Sequence, residues 1–174
     1  MSSLSSAVPS RRVDPAAIAT ALVAVAERSF FAFAEPAAPE HVVSTGGGWY
    51  AATVAFDGPF GGHMTVALPV DLARDLCAAF LGVDTADIKD EAAVQDLAGE
   101  FANMACGTWL TSLHEASCFA LAHPTVELTQ VAPAADVVVA VNDRPVVVRL
   151  QMGADEAEAT HGPPEAGHYP AGVA

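Results

Sequence analysis

Apolar positions change their spacing several times along the chain, and each change marks an element. From Asp14 to Ala34 they run almost unbroken through "DPAAIATALVAVAERSFFAFA". Asp14 followed by Pro15 is a helix-opening pair, since a short acid caps free N–H groups and proline suits the first helical position. The run predicts a helix over 14–34, apolar nearly all round and therefore buried on more than one side. "EPAAPE" (35–40) ends it. "WYAATVAF" (49–56) and "HMTVAL" (63–68) read as strands around the turn "DGPFGG" (57–62). "PVDLARDLCAAFLG" (69–82) predicts a second helix, with Pro69 before it and Gly82 as its stop. "VDTADIKD" (83–90) is an acidic connector, and a long third helix follows from about Glu91 to Ser112.

Beyond it the pattern turns to strands. "CFALAHPTVELTQ" (118–130) reads as a strand broken at Pro124, and "ADVVVAVNDRPVVVRLQM" (135–152) as a hairpin turning at Asn142-Asp143-Arg144-Pro145. Three helices and five or six strands, antiparallel where hairpin-linked, give an α+β class with the helices packed on one mostly antiparallel sheet. One domain is expected over 14–152. A Ser-rich flexible tail (1–13) precedes it, and a Pro/Gly/acid-rich disordered tail (153–174) follows.

Composition narrows the partners. A chain of 174 residues suits one domain with a real core, and 52% hydrophobic residues exclude a largely disordered protein. With 21 acidic residues against 7 basic ones, the net charge is −14, which argues against nucleic acid, an anionic membrane surface or a free nucleotide as partner. Cys77, Cys106 and Cys118 sit in apolar runs without a CxxC, as expected of a protein in the reducing cytoplasm. "HEASC" (114–118) lacks the second histidine of HExxH, so no zinc site is expected. Neither Gly46-Gly47-Gly48 nor the hairpin glycines precede the lysine of a phosphate loop. No stretch reaches the roughly 18 uninterrupted apolar residues of a membrane span. "SRRVDPAAIATALVAVA" followed by "AFAEP" mimics a twin-arginine signal with an Ala-x-Ala site. Asp14 and Pro15 directly after the arginines, with Glu27 and Arg28 later in the run, favour the capped helix instead.

The third helix carries the chemistry in "DLAGEFANMACG" (96–107). Its composition does not favour helix stability: an interior glycine costs roughly 1 kcal/mol against alanine, and like charges at i,i+4 cost a few tenths more. At about 100° per residue, with Asp96 at zero, Glu100 falls near +40°, Asn103 near −20° and Gly107 near +20°. Val94, Ala98, Phe101, Ala105, Thr108 and Trp109 fall opposite and form the expected buried face. The polar stripe is expected to face outward, with Gly107 leaving a dent beside Asn103 for another protein's backbone. A carboxylate grips a cation, and an amide holds a water with donor and acceptor together. The bland alternative is a solvated polar face with incidental glycines.

This string resembles the phosphatase motif D/S-x3-E-x2-N of the chemotaxis phosphatases CheC, CheX and FliY. Asp96, Glu100 and Asn103 match its three places, and Met104 and Gly107 match residues that commonly follow. "VAFDGPFGGHMTVALPVDLARDLCAAFLG" is similar to the family's hairpin, helix and Gly stop, and "LAHPTVEL" with the terminal hairpin to its later strands, so the likeness spans about 14–151. CheC-type members carry two such motifs. Here the first helix offers Glu27, but Phe30 stands where asparagine would be, and phenylalanine cannot place a water. The chain therefore resembles the single-motif CheX type.

The resemblance implies a phosphatase that removes the aspartyl phosphate of a CheY-like response regulator, in chemotaxis or another two-component pathway, and that pairs as a homodimer. Glu100 and Asn103 would be catalytic, Asp96 and Gly107 partner-binding. No metal or cofactor would be bound by this chain, since the Mg²⁺ belongs to the regulator. Two alternatives stand beside it: a non-catalytic CheX-like binding module, and a hotdog-fold thioesterase. The latter needs its acid and glycines at the start of the central helix, whereas this motif lies in the middle.

Overall fold

A computed structural model describes residues 13–42, 47–113 and 118–153. Among them are three helices, α1 (Pro15–Phe30), α2 (Val70–Leu81) and α3 (Glu91–Leu113). The strands are β1 (Ala34–Ala37), β2 (Trp49–Asp57), β3 (Gly62–Pro69), β4 (Ala120–Leu121), β5 (Thr125–Thr129), β6 (Val137–Val141) and β7 (Arg144–Met152). They form one antiparallel sheet in the order β1-β6-β7-β3-β2, with β4 and β5 side by side along the far edge of β2. The architecture is the expected α+β layer. The expected N-terminal and C-terminal tails, the arginines of the signal-like segment, Gly46, His114 and Glu115 lie outside the described residues, except that Val13 and Gly153 are described.

Alternation sorts the sheet into two faces. Tyr50, Ala52, Val54 and Phe56 on β2 point to the helices, as do Met64, Val66 and Leu68 on β3 and the valines 137, 139, 141, 146 and 148 on β6 and β7. The opposite face holds a smaller cluster of Trp49, Ala67 and Val147, partly covered by Val42 and Ala132.

Two helix ends differ from each other in an instructive way. At the end of α2, Gly82 takes φ +69° and Val83 N–H donates to the Ala78 carbonyl at 3.0 Å, as the glycine predicted. Helix α1 was expected to reach Ala34 but stops at Phe30. Phe31 adopts the left-handed conformation (φ +54°), and Ala32 N–H closes on the Ala26 carbonyl at 3.0 Å. That conformation costs an L-residue about 1–2 kcal/mol. Tertiary bonds hold it: Phe33 N–H donates to Asn142 Oδ1 at 3.0 Å, and Asn142 N–H donates to the Phe33 carbonyl at 2.8 Å. The chain then enters β1 against β6, so part of the expected helix end and breaker is a strand. Pro36 is tolerated because β1 lies at the sheet edge. The start of α1 is as expected, with Ala16 N–H donating to Asp14 Oδ1 at 3.0 Å.

The last hairpin turns on Asn142 and Asp143 alone, both at positive φ (47° and 62°). That is the type I′ pattern of a two-residue turn. Arg144 and Pro145, expected in the turn, begin β7 instead. The β3–β7 ladder stops at Ala67↔Val147, before the missing N–H of Pro145 would matter.

Three aromatic and polar contacts fix the helices over the sheet. Phe30 is packed: its ring lies 5.2 Å from Phe101 on α3 and 6.1 Å from Phe80 on α2. Glu91, at the start of α3, accepts from Tyr50 Oη on β2 and from the Arg74 guanidinium on α2. Arg144 ties the β6–β7 turn to α2 through Asp75 at 2.7 Å.

Two outcomes follow. Phe30→Ala should lower unfolding free energy by about 3–5 kcal/mol in urea titrations, the usual cost of emptying a buried aromatic site. Burial, reinforced by the hydrogen bond and charge of Glu91, pushes the Tyr50 phenol from 10.0 up to about 12. A folded-state pKa above the unfolded one means the contribution is complete below about pH 10 and is lost as pH rises towards 12. The parent should therefore lose stability relative to Tyr50→Phe over that window. Parallel curves for the two proteins would show that Tyr50 titrates alike in both states.

Candidate functional site

Helix α3 is the central element of the helix layer. It touches α1 through Phe101, and it lies over β2 through Trp109, whose ring meets Phe56 edge-on at 5.7 Å. Val94, Ala98, Phe101, Ala105 and Trp109 are fully buried, as the periodicity required. Thr108, placed on that face by its angle, is exposed. Leu97 and Phe101, at flanking angles but earlier in the helix, are buried, so the cover on that side ends before Thr108; on the sheet side the buried arc is wider than expected, taking in Gly99, Cys106 and Leu110. Alanine, glycine and cysteine make up much of this surface, so neighbouring backbones approach closely.

The remaining open strip carries the predicted stripe. Asp96 and Glu100 are exposed, and Asn103 and Gly107 are half-buried on the same line. The structure thus brings together all four residues that the sequence singled out. The two glycines differ. A Cβ on Gly107 would meet only Leu121 Cδ2 at 3.9 Å, so the expected dent is open space. A Cβ on Gly99 would stand 3.3 Å from Val126 Cγ2 and 3.4 Å from Pro124 Cγ, so this glycine lets β5 pack against the helix.

Several described acids have structural duties. Asp14 and Asp90 cap α1 and α3, Glu91 joins Tyr50 and Arg74, Asp71 and Asp75 face Arg144, and Asp136 accepts from Leu150 N–H at 2.7 Å. Among the described residues, Asp96, Glu100 and Asn103 make no side-chain hydrogen bond or ion pair. Two carboxylates and an amide stand ready for groups from outside. Thiol chemistry is not on offer beneath them, because burial pushes Cys106 up to about 12 and Cys77 upward as well. Among the described residues no group of three His, Cys, Asp or Glu side chains could hold a metal, and no helix is long and apolar enough to cross a membrane.

A feature the sequence reading missed lies on the other flank of the strip. The ends of α1 and α2 leave a cavity of about 370 Å³ against α3, lined by Phe30, Cys77, Phe80, Leu81, Leu97 and Met104, among others. Asp96, Glu100 and Ser29 supply its polar groups. Its only sequence signal was the apolar pair Phe80-Leu81 directly before the Gly82 stop, where a helix usually turns polar.

The chain thus has an open antiparallel sheet under three helices, with Asp96, Glu100 and Asn103 in line on α3. The family model described as chemotaxis phosphatase CheX matches residues 50–136, and the chain belongs to that family. Among solved structures, CheX from Desulfovibrio desulfuricans is 23% identical, with 79% of this chain and 97% of that one aligned at a TM-score of 0.61. CheX from Vibrio vulnificus is 17% identical over 79% and 95%, at 0.64. A CheX–CheY–BeF₃–Mg²⁺ complex from Borrelia burgdorferi aligns at 15% identity over 81% and 99%, at 0.56. At these identities the likeness is one of fold. No curated protein matches the chain.

The two glycines generate a paired outcome. Gly107→Ala should raise stability by about 0.5–1 kcal/mol, the helix gain with no crowding to offset it. Gly99→Ala should gain less or lose, because β5 has to give way. Urea midpoints of both variants check this, and the reverse order would contradict the packing assigned to each.

Proposed function

We propose that the chain is a phosphatase acting on the aspartyl phosphate of a CheY-like response regulator. The observation that carries the proposal is the line of Asp96, Glu100 and Asn103 on one open strip of α3, free of partners among the described residues, while Asp90 and Glu91 at the start of the same helix are engaged. Membership of the CheX family and the CheY bound in the Borrelia complex support a receiver domain as the partner.

Phosphoryl transfer asks little covalent chemistry of a protein, so positioning and charge do most of the catalysis. The regulator supplies the phosphoryl group, its Mg²⁺ and a lysine; the chain supplies α3. Asn103 reaches towards the phosphoryl group, and its amide orients a water for in-line attack. Glu100 pairs with the lysine and sets the register. Asp96 docks at the rim, and Gly107 leaves room for the partner's backbone next to the amide. Phe30 is packed among rings where a second asparagine would be needed, so α1 contributes no second site. Pairing of two copies and a cytoplasmic location belong to the same proposal.

Asn103→Ala should keep the fold and still bind a BeF₃-loaded receiver, while hydrolysis falls by at least about 10²-fold. An unchanged rate across the receivers of the same genome would favour a docking module without catalysis. Glu100→Gln should weaken the productive complex, most of all at low salt, where charge pairs are least screened. Equal KM for variant and parent at low ionic strength would leave Glu100 a solvated surface residue.

A further inference from the structure

The cavity beside the site has a composition that the hydrolysis itself does not require. It is apolar over most of its lining, and Phe80 and Leu81, which form part of it, remain 64% and 55% exposed. A protein surface keeps large apolar side chains in the open next to a concave site when something covers them. At about 370 Å³ the cavity is at the low end of the roughly 300–1,000 Å³ typical of ligand sites. It suits one or two large side chains better than a free cofactor.

Its charge selects the visitor. Among the lining residues there is no lysine, arginine or histidine, and the two carboxylates, Asp96 and Glu100, are on α3 beside the apolar wall. Glu100 therefore belongs to two places at once: the polar strip and the cavity. Whatever pairs with Glu100 through a cation brings its neighbouring side chain to the cavity mouth. We propose that the cavity is a specificity subsite for the receiver domain, filled by a large aliphatic or aromatic side chain next to the receiver's cation. This rests on the phosphatase reading for the identity of the partner. It adds that the choice among receivers is made by an apolar anchor, a role for Leu81, Phe80, Ala93 and Met104 that is separate from the water-positioning amide. A few side chains seated in well-packed, desolvated pockets carry most of the binding energy of an interface.

Two substitutions test it without touching the strip. Ala93→Phe fills the cavity from α3, and Leu81→Asp places a charge at its exposed edge. Both are measured for thermal stability, for steady-state hydrolysis of phosphorylated receivers and for affinity towards BeF₃-loaded receivers. If either variant is unstable, the other carries the test. Each should raise KM and lower affinity by at least about 10-fold, with kcat within about twofold. Unchanged KM and affinity in a folded variant overturn the subsite. So does a change confined to kcat, or a change in sedimentation without one in receiver affinity, which would make a second copy of the chain the occupant. If the parent binds loaded receivers without hydrolysing them, the catalytic reading fails and the affinity comparison still decides the subsite. A parent that binds none of them overturns both.

Discussion

Close packing of α3 against both other helices and the sheet is the constraint on which the rest depends. Phe101 sits beneath Phe30, Trp109 meets Phe56, and glycine, alanine and cysteine fill the gaps between them. A helix buried so widely has only a narrow strip left for polar residues. Close-packed neighbours also hold that strip still, because the core resists displacement. Asp90 caps the first turn and Glu91 bonds to both β2 and α2, so the helix is fixed along its axis as well as across it. Positioning a water requires a side chain held to within fractions of an ångström. In the proposed reading, that rigidity falls on the helix that carries Asn103.

Charge is arranged in a complementary way. The chain has few cations, and two of those beside the helices are committed, Arg74 to Glu91 and Arg144 to Asp71 and Asp75. An acidic protein of this kind cannot grip a phosphoryl group by itself. It can act on one that arrives with its own metal and lysine. The same scarcity makes Glu100 and Asp96 more selective, since no intramolecular cation competes for them.

How much of this was legible in the sequence depends on where the determining interaction lies. The α2 stop was readable because Gly82 is the residue that suits a left-handed cap. The α1 stop was not, because Phe31 takes the same conformation and is held there by Asn142, more than a hundred residues away. No local pattern reports a bond of that separation, and β1 was missed with it. The break at Pro124 was legible, since proline has no N–H to give the ladder that β4 and β5 share with β2. The line on α3 was legible because helical spacing alone puts Asp96, Glu100, Asn103 and Gly107 on one side of the helix. Thr108 was misplaced because periodicity gives the angle of a residue but not how far along the helix its cover extends. The cavity at Phe80 and Leu81 was invisible for a related reason: it exists only where the ends of α1 and α2 converge on α3.

The account places all catalytic capacity on one strip of one helix. The most direct test is the first-order loss of phosphate from labelled receivers in the presence of the Glu100→Ala/Asn103→Ala double variant. With a folded variant, the account predicts decay at the receiver's own spontaneous rate, and faster decay with the parent. Residual acceleration by the double variant, abolished by a further Glu27→Ala substitution, would contradict it by revealing a second site on α1.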